Sequence, residues 1–160
     1  MPYHDLPQPG EISIREKEDA MGAYLMMFAA FAIGLPLPVI NLIAAIIYYY
    51  INRKKSRFIH FHALQSLLSQ IPTTLINWGL VIWAVTIFFS KSSFSNEFWA
   101  YAIFAGLCTL VYVIMSFIAA FRAREGKMYY FLFFGKIAYS VAFQKKAEIK
   151  TPEIYNKPPL

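Results

Sequence analysis

The chain has 160 residues, of which 58% are hydrophobic and 15% are charged, with a mean hydropathy of +0.45. Soluble domains average about 45–50% apolar and about 25% charged residues, so this composition points away from an ordinary soluble domain. The net charge of +6 does not indicate nucleic-acid binding, because the basic residues cluster at the ends of apolar segments, as in membrane proteins. The single Cys108 lies within an apolar segment, which leaves no disulfide framework or thiolate metal cluster.

The chain begins with a polar, acidic arm, residues 1–19, which lacks the features of a secretory signal or a transit peptide. The first apolar block, residues 20–51, is interrupted by the sequence GLPLPVIN. Its prolines, Pro36 and Pro38, remove backbone donors and predict a kink or a break. The block therefore crosses a membrane once as a bent helix or doubles back as a hairpin, and the charged arm favours the hairpin.

Two further apolar blocks, residues 67–89 and 98–121, each exceed the roughly 20 residues that a membrane-spanning helix needs. A short loop, residues 90–97, joins them. They lie between two basic connections, which the positive-inside rule places in the cytoplasm together with both termini. The basic residues of these connections are Arg53, Lys54, Lys55, Arg57, Arg122, Arg124 and Lys127.

Residues 128–143 are apolar but short, and Gly135 and Lys136 interrupt them, which predicts a surface-lying or shallow re-entrant helix. Residues 144–160 contain several lysines and a Lys-Pro-Pro sequence and are predicted to form a cytoplasmic tail. The predicted fold class is therefore an all-α, polytopic helical membrane protein. Its membrane domain, residues 20–143, would contain about four membrane-embedded helical segments with a proline-broken first block.

Catalytic groups are scarce in the sequence. Residues 20–96 contain no aspartate or glutamate, so a carboxylate relay across the membrane is not predicted. The sequence also lacks a Gly-rich phosphate-binding loop, a serine nucleophile elbow and a His-Glu-x-x-His zinc motif. We therefore predict that the protein is not an enzyme and uses no cofactor or metal.

A polar stripe begins in the sequence RFIHFHALQSLLSQIP, residues 57–72. On a helix, His60 and His62 point about 200° apart, which argues against a shared metal ion. The stripe either hydrogen-bonds to another helix or lines a wet groove, and packing against a helix or another protein is the favoured interpretation. Its residues are His62, Gln65, Ser66, Ser69, Gln70, Thr73 and Asn77.

Two short phrases carry a family resemblance. The first is an aromatic residue followed by His-x-x-Gln, and the second is Ala-x-x-Gly followed later by Gly-Lys-x-Ala. With the order of apolar and basic segments over residues 20–140, they resemble the Tic-twenty type of chloroplast import-translocon proteins and their small bacterial relatives. The residues that match are Phe61, His62, Gln65, Ala123, Gly126, Gly135, Lys136 and Ala138.

The resemblance implies a four-helix membrane protein in or beside a protein-translocation assembly. We therefore expect a non-enzymatic subunit of a larger membrane assembly that handles protein translocation or membrane insertion. Its expected location is the plasma (inner) membrane of a bacterium. The expected partners are membrane lipid and other integral membrane proteins, such as a translocon or an insertase, and not nucleic acid. The alternative is a self-assembling channel or a carrier of a small solute, which would need a polar path through the whole membrane.

Overall fold

The computed structural model describes residues 3–29 and 38–144. These residues form helices and contain no strand, apart from an isolated bridge between Tyr3 and Gln144. The first helix continues into a short 3-10 turn, Met26–Phe28. The helices are α1 (Ile14–Leu25), α2 (Pro38–Asn52), α3 (Arg57–Ser90), α4 (Asn96–Arg124) and α5 (Phe134–Phe143).

Serine residues set the starts of three of these helices. At the start of α1, Ser13 accepts a hydrogen bond from the backbone N–H of Glu16 at 3.3 Å. The Glu16 carboxylate accepts one in return from the Ser13 N–H at 3.0 Å. This reciprocal pair satisfies two backbone donors that a helix start leaves free. Ser56 and Ser95 cap α3 and α4 through the same kind of side-chain acceptor.

The longest helices, α3 and α4, form an antiparallel hairpin. The Tyr101 hydroxyl of α4 donates to the carbonyl of Ile76 in α3 at 2.9 Å, and the rings of Trp83 and Phe98 meet edge to face. At 34 residues, α3 is roughly 50 Å long, given a rise of 1.5 Å per residue. Both helices are long and apolar enough to cross a membrane.

The prediction of about four membrane-embedded segments is therefore confirmed only in its all-helical part. Among the described residues, two helices, and not four, have the length and hydropathy of a membrane span. Helices α1, α2 and α5 have 12, 15 and 10 residues, which is short of the roughly 20 that a span requires. Composition alone did not reveal this shortness. The predicted choice between a bent helix and a hairpin in the first block depends on residues 30–37, which lie outside the described residues.

The core lies at one end of the hairpin, where α1, α2 and α5 pack on the first half of α3 and the second half of α4. Small residues on α1 and α4, among them Ala20, Ala119 and Ala123, are fully buried and let these two helices approach closely. A second apolar cluster joins α3 to α5. Its buried members are Phe61, Leu64, Ala138, Ala142 and Phe143.

The apolar surface of the rest of the hairpin is left uncovered. In the most apolar windows of α3 and α4, only 11% and 17% of the residues are buried within the chain. The central helices of a soluble protein would be largely buried, since contiguous apolar patches this large are rare on soluble monomers. The exposed apolar surface therefore indicates association with a membrane.

Candidate functional site: a buried polar cluster

Gln65 is at the centre of a buried polar cluster. Its side-chain amide donates hydrogen bonds to the Tyr24 hydroxyl at 2.8 Å and to the Tyr129 carbonyl at 2.9 Å. Its side-chain oxygen accepts a hydrogen bond from the Phe131 N–H at 3.1 Å. One fully buried amide thus ties together α1, α3 and the segment that precedes α5.

His62 belongs to the same cluster. Its Nδ1 lies 2.9 Å from the Tyr24 hydroxyl, and the rings of Phe58 and Phe61 pack edge to face against the imidazole. Because Tyr24 accepts a hydrogen bond from Gln65, its own proton is available to His62 Nδ1, which corresponds to a neutral imidazole. The His62 Nε2 has no hydrogen-bond partner among the described residues. His62 is therefore a fully buried side chain, packed between aromatic rings and the Tyr24 hydroxyl.

The predicted stripe continues along α3 with hydrogen bonds to neighbouring helices. Ser66 donates to the carbonyl of Ala23 in α1 at 2.8 Å, and Ser69 donates to the carbonyl of Ser66 at 2.9 Å. Farther along α3, the Asn77 amide donates to the Thr109 hydroxyl of α4 at 2.9 Å. The bonds of Ser66 and Asn77 make the stripe a seam between α3 and its neighbours, whereas the bond of Ser69 lies within α3.

Asn77 and Thr109 provide a direct test of this seam. In a double-mutant cycle, Asn77→Ala and Thr109→Ala are expected to show a coupling of about 0.6 kcal/mol, the average for such bonds between membrane helices. The measurement is the unfolding free energy of the wild type, both single variants and the double variant in detergent. Additive effects of the two substitutions would contradict an interhelical hydrogen bond.

In the middle of the stripe, several buried polar groups differ from Gln65 in their hydrogen bonding. The Gln70 amide and the hydroxyls of Tyr112 and Ser116 are buried but have no hydrogen-bond partner among the described residues. These groups nevertheless lie beside one another across the contact between α3 and α4. Thr73 is only partly buried, and its contact with the Ser69 carbonyl is long, at 3.5 Å. Gln65 and Gln70 are thus equally hidden, yet only Gln65 is bonded to other elements.

An apolar cleft of about 600 Å³ opens between α3 and α4 beside these unbonded groups. Ser69, Thr73 and Tyr112 provide its hydroxyl-bearing side, and the other lining residues are almost all apolar. The described residues of this lining carry no carboxylate, ammonium or imidazole group. Its chemistry is therefore limited to apolar contact and neutral hydrogen bonding.

Of the two glycines of the second sequence phrase, Gly135 adjoins the Gln65 cluster, whereas Gly126 lies against Pro9 and Lys17. Gly135 comes so close to Tyr130 and to the Gln65 side chain that an added Cβ would lie 2.8 Å from the Tyr130 Cβ. Gly126 has a φ of 76°, which a residue without a side chain adopts readily. Ala123 and Ala138 are fully buried, whereas Lys136 is exposed. Most of this phrase is therefore buried and closely packed, and Gly135 is the member that lies against Gln65.

The predicted topology residues have several different surroundings. Lys55 pairs with Asp19 at 2.8 Å, and the Arg53 guanidinium lies 4.6 Å from the centre of the Tyr50 ring. Lys127 lies 2.8 Å from Glu125 and keeps the pKa of that carboxyl below its usual value, with a smaller contribution from Arg122. The remaining members, Lys54, Arg57 and Arg124, are exposed.

Sequence reasoning missed three partners of the cluster: the Tyr24 hydroxyl, the Tyr129 carbonyl and the Phe131 N–H. Tyr24 is 41 residues from Gln65 along the chain, and the other two groups belong to the backbone. The only available signal was that a buried glutamine requires partners for both ends of its amide. Among the described residues, no group of histidine, cysteine, aspartate and glutamate side chains is arranged to hold a metal ion.

The fold and the cluster define an all-helical, membrane-associated protein whose buried polar groups connect its helices. Over residues 17–138, the chain matches the MamF/MmsF family, described as the magnetosome magnetite crystal formation protein family, and it belongs to that family. The chain shows no significant similarity to a curated protein or to a solved structure.

This match corrects the resemblance to the Tic-twenty type of translocon protein, which is wrong. The two phrases that suggested it contain Gln65 and Gly135, which touch each other in the structure. They therefore reflect a way of packing helices and do not specify translocation. The predicted role in protein translocation or insertion, with a translocon or insertase as partner, is wrong for the same reason. The alternative of a channel or solute carrier has no support from the family either.

Proposed function

We propose that this protein acts in the formation of magnetite crystals, without enzymatic activity, as a helical protein embedded in the magnetosome membrane. The observation that carries the proposal is the family match over residues 17–138, which extends from α1 into α5. The exposed apolar surfaces of α3 and α4 agree with a place in the membrane that encloses the crystal.

The distribution of charge suggests which end of the hairpin faces the crystal. The two basic connections lie at one end, and the positive-inside rule assigns that end to the cytoplasm, together with the termini. The opposite end, the turn at residues 91–95 with the start of α4, then faces the interior of the magnetosome. Exposed aromatic residues surround this turn as they do at membrane–water boundaries. They are Phe88, Phe89, Phe94 and Trp99.

The turn presents oxygen-rich groups to that interior. Ser92, Ser93 and Glu97 are exposed there beside the positive charge of Lys91. Hydroxyl and carboxylate oxygens suit hard cations, and the iron of an oxide surface is a cation of this kind. A single carboxylate is too little to hold an ion, so contact with the crystal would require many copies of the chain in one membrane.

The experiment replaces the gene in a magnetite-forming bacterium with a variant that carries Ser92→Ala, Ser93→Ala and Glu97→Gln. Crystals that are smaller or less regular than the wild type are expected, because the turn would offer fewer oxygen ligands to the growing surface. Electron microscopy of isolated magnetosomes measures the crystals, and immunoblotting of magnetosome membranes checks that the variant is present in equal amount.

The matched control is Glu125→Gln, which removes an exposed carboxylate at the opposite end and is expected to leave the crystals unchanged. Deletion of the whole gene tests the function itself, and unchanged crystals after deletion would overturn it. If deletion alters the crystals but the turn variant does not, the assignment of the turn as the crystal-facing surface is wrong.

A further inference from the structure

A second cleft, of about 560 Å³, lies at the basic end of the molecule, between the amino-terminal arm and the connection from α2 to α3. Its floor is apolar and includes the buried side chains of Ile12, Phe58 and Phe143. Its rim combines three acidic and three basic residues. They are Asp5, Glu11, Glu16, Arg53, Lys54 and Arg57.

The charges of this rim do not neutralise one another by direct contact. Among the described residues, none of the six lies within ion-pair distance of an opposite charge. Elsewhere on the same end of the molecule, basic residues are paired, as in Lys55 with Asp19 and Lys127 with Glu125. The rim thus holds two sets of opposite charges that no ion pair neutralises.

Glu16 illustrates how one rim charge is fixed. Hydrogen bonds from the Ser13 side chain and backbone, with a smaller contribution from Ser56, hold the pKa of the Glu16 carboxyl below its usual value. The carboxylate therefore stays ionised at neutral pH. Because Ser13 caps α1 and Ser56 caps α3, the Glu16 carboxylate is tied to the starts of two helices.

We propose that this cleft binds the head group of a zwitterionic phospholipid with a primary amine, of the phosphatidylethanolamine class. The phosphate would lie against Arg53, Lys54 and Arg57, since one guanidinium group can donate two parallel hydrogen bonds to phosphate oxygens. The ammonium group would lie against Asp5 and Glu11, and the methylene carbons between the phosphate and the ammonium group would contact the apolar floor.

The occupant comes from the bilayer because the cleft lies beside a basic connection, the part of a membrane protein that lies at the membrane surface. A purely anionic lipid fits less well, since its head group would meet three carboxylates without an ammonium group to offset them. A quaternary ammonium head group has no N–H, so it cannot donate hydrogen bonds to the carboxylates of the rim. The inference rests on membrane association and not on the proposed role in crystal formation.

The test measures lipid binding to the purified full-length protein by native mass spectrometry. The probes are phosphatidylethanolamine, phosphatidylcholine and phosphatidylglycerol with identical acyl chains, together with inorganic phosphate. The ethanolamine lipid is expected to bind most tightly. Lys54→Gln with Arg57→Gln is expected to weaken that binding about tenfold, because the phosphate loses charge-assisted bonds.

Variants of the acidic side of the rim provide the decisive comparison. Asp5→Asn with Glu11→Gln is expected to weaken binding of the ethanolamine lipid, because its ammonium group loses two carboxylate partners. The same substitutions are expected to strengthen binding of phosphatidylglycerol, because they remove two negative charges that repel it. The matched control, Arg122→Gln with Lys127→Gln, removes two charges from the other basic connection and should change neither affinity. Circular dichroism verifies that each variant keeps its helical content.

Three results would overturn the proposal. The first is equal binding of the three lipids, and the second is acidic-side variants that bind the ethanolamine lipid as the wild type does. The third is inorganic phosphate that competes as well as the lipid does, which would show a site for a free anion.

Discussion

Gln65→Leu is expected to lower the free energy of unfolding by roughly 2–5 kcal/mol, since each buried polar group left without a partner costs about 1–3 kcal/mol. Leucine fills a similar volume but removes three hydrogen bonds. The Phe131 N–H and the Tyr129 carbonyl then lose the partner that the buried Gln65 side chain provides. The measurement is chemical unfolding of the detergent-solubilised protein, followed by circular dichroism.

Gln70→Leu is the matched control. Gln70 lies on the same helix and is 2% exposed, compared with 0% for Gln65, but its amide has no hydrogen-bond partner among the described residues. Leucine there removes an unpartnered polar group, so stability is expected to stay the same or to rise. Equal destabilisation by the two substitutions would show that the hydrogen bonds of Gln65 are not what stabilises the cluster.

The contrast between these glutamines indicates what the sequence could predict. Helical periodicity predicted that both glutamines share one face of a helix, and an apolar run predicted that this helix is long. The pattern could not distinguish the two glutamines, because they differ in which groups from other parts of the chain lie next to each side chain. The Tyr129 carbonyl and Phe131 N–H that bind Gln65 are backbone groups, and every residue except proline carries both.

The residues of the polar cluster indicated even less about the function of the protein. Hydrogen-bonded glutamine, histidine and serine side chains are common between membrane helices whatever the protein does. Their pattern therefore matched a translocon family as readily as a magnetosome family. Membership in the MamF/MmsF family came from similarity over residues 17–138 and not from any single chemical group. Short motifs that serve packing are poor evidence of function, even when they are fully buried.

The residue at which α5 begins could not be predicted from the sequence, for a physical reason. Residues 128–143 are largely apolar, but only Phe134–Phe143 form a helix, and the preceding segment supplies the Tyr129 carbonyl and the Phe131 N–H to Gln65. A helix that began at residue 128 would have used the Tyr129 carbonyl internally. The tertiary contact therefore sets where α5 begins, and no local pattern in the sequence indicates it.

Gly135→Ala is the second substitution expected to have a large effect, a destabilisation of about 1–3 kcal/mol, typical of overpacking. The added Cβ would lie 2.9 Å from the Tyr130 Cα and 3.0 Å from the Gln65 side-chain oxygen. Because the first of these neighbours is backbone, the segment must move as a whole. That movement disturbs the flanking groups that bind Gln65. Chemical unfolding in detergent measures the effect.

Gly106→Ala separates this packing effect from helix propensity. An added Cβ at Gly106 meets no atom within 4 Å, so alanine is expected to stabilise α4 by up to about 1 kcal/mol. The two glycine substitutions should therefore change stability in opposite directions. Combining Gly135→Ala with Gln65→Leu should destabilise by less than the sum of the single effects, because both disrupt one set of hydrogen bonds. Additive effects would mean that Gly135 contributes to packing independently of the Gln65 cluster.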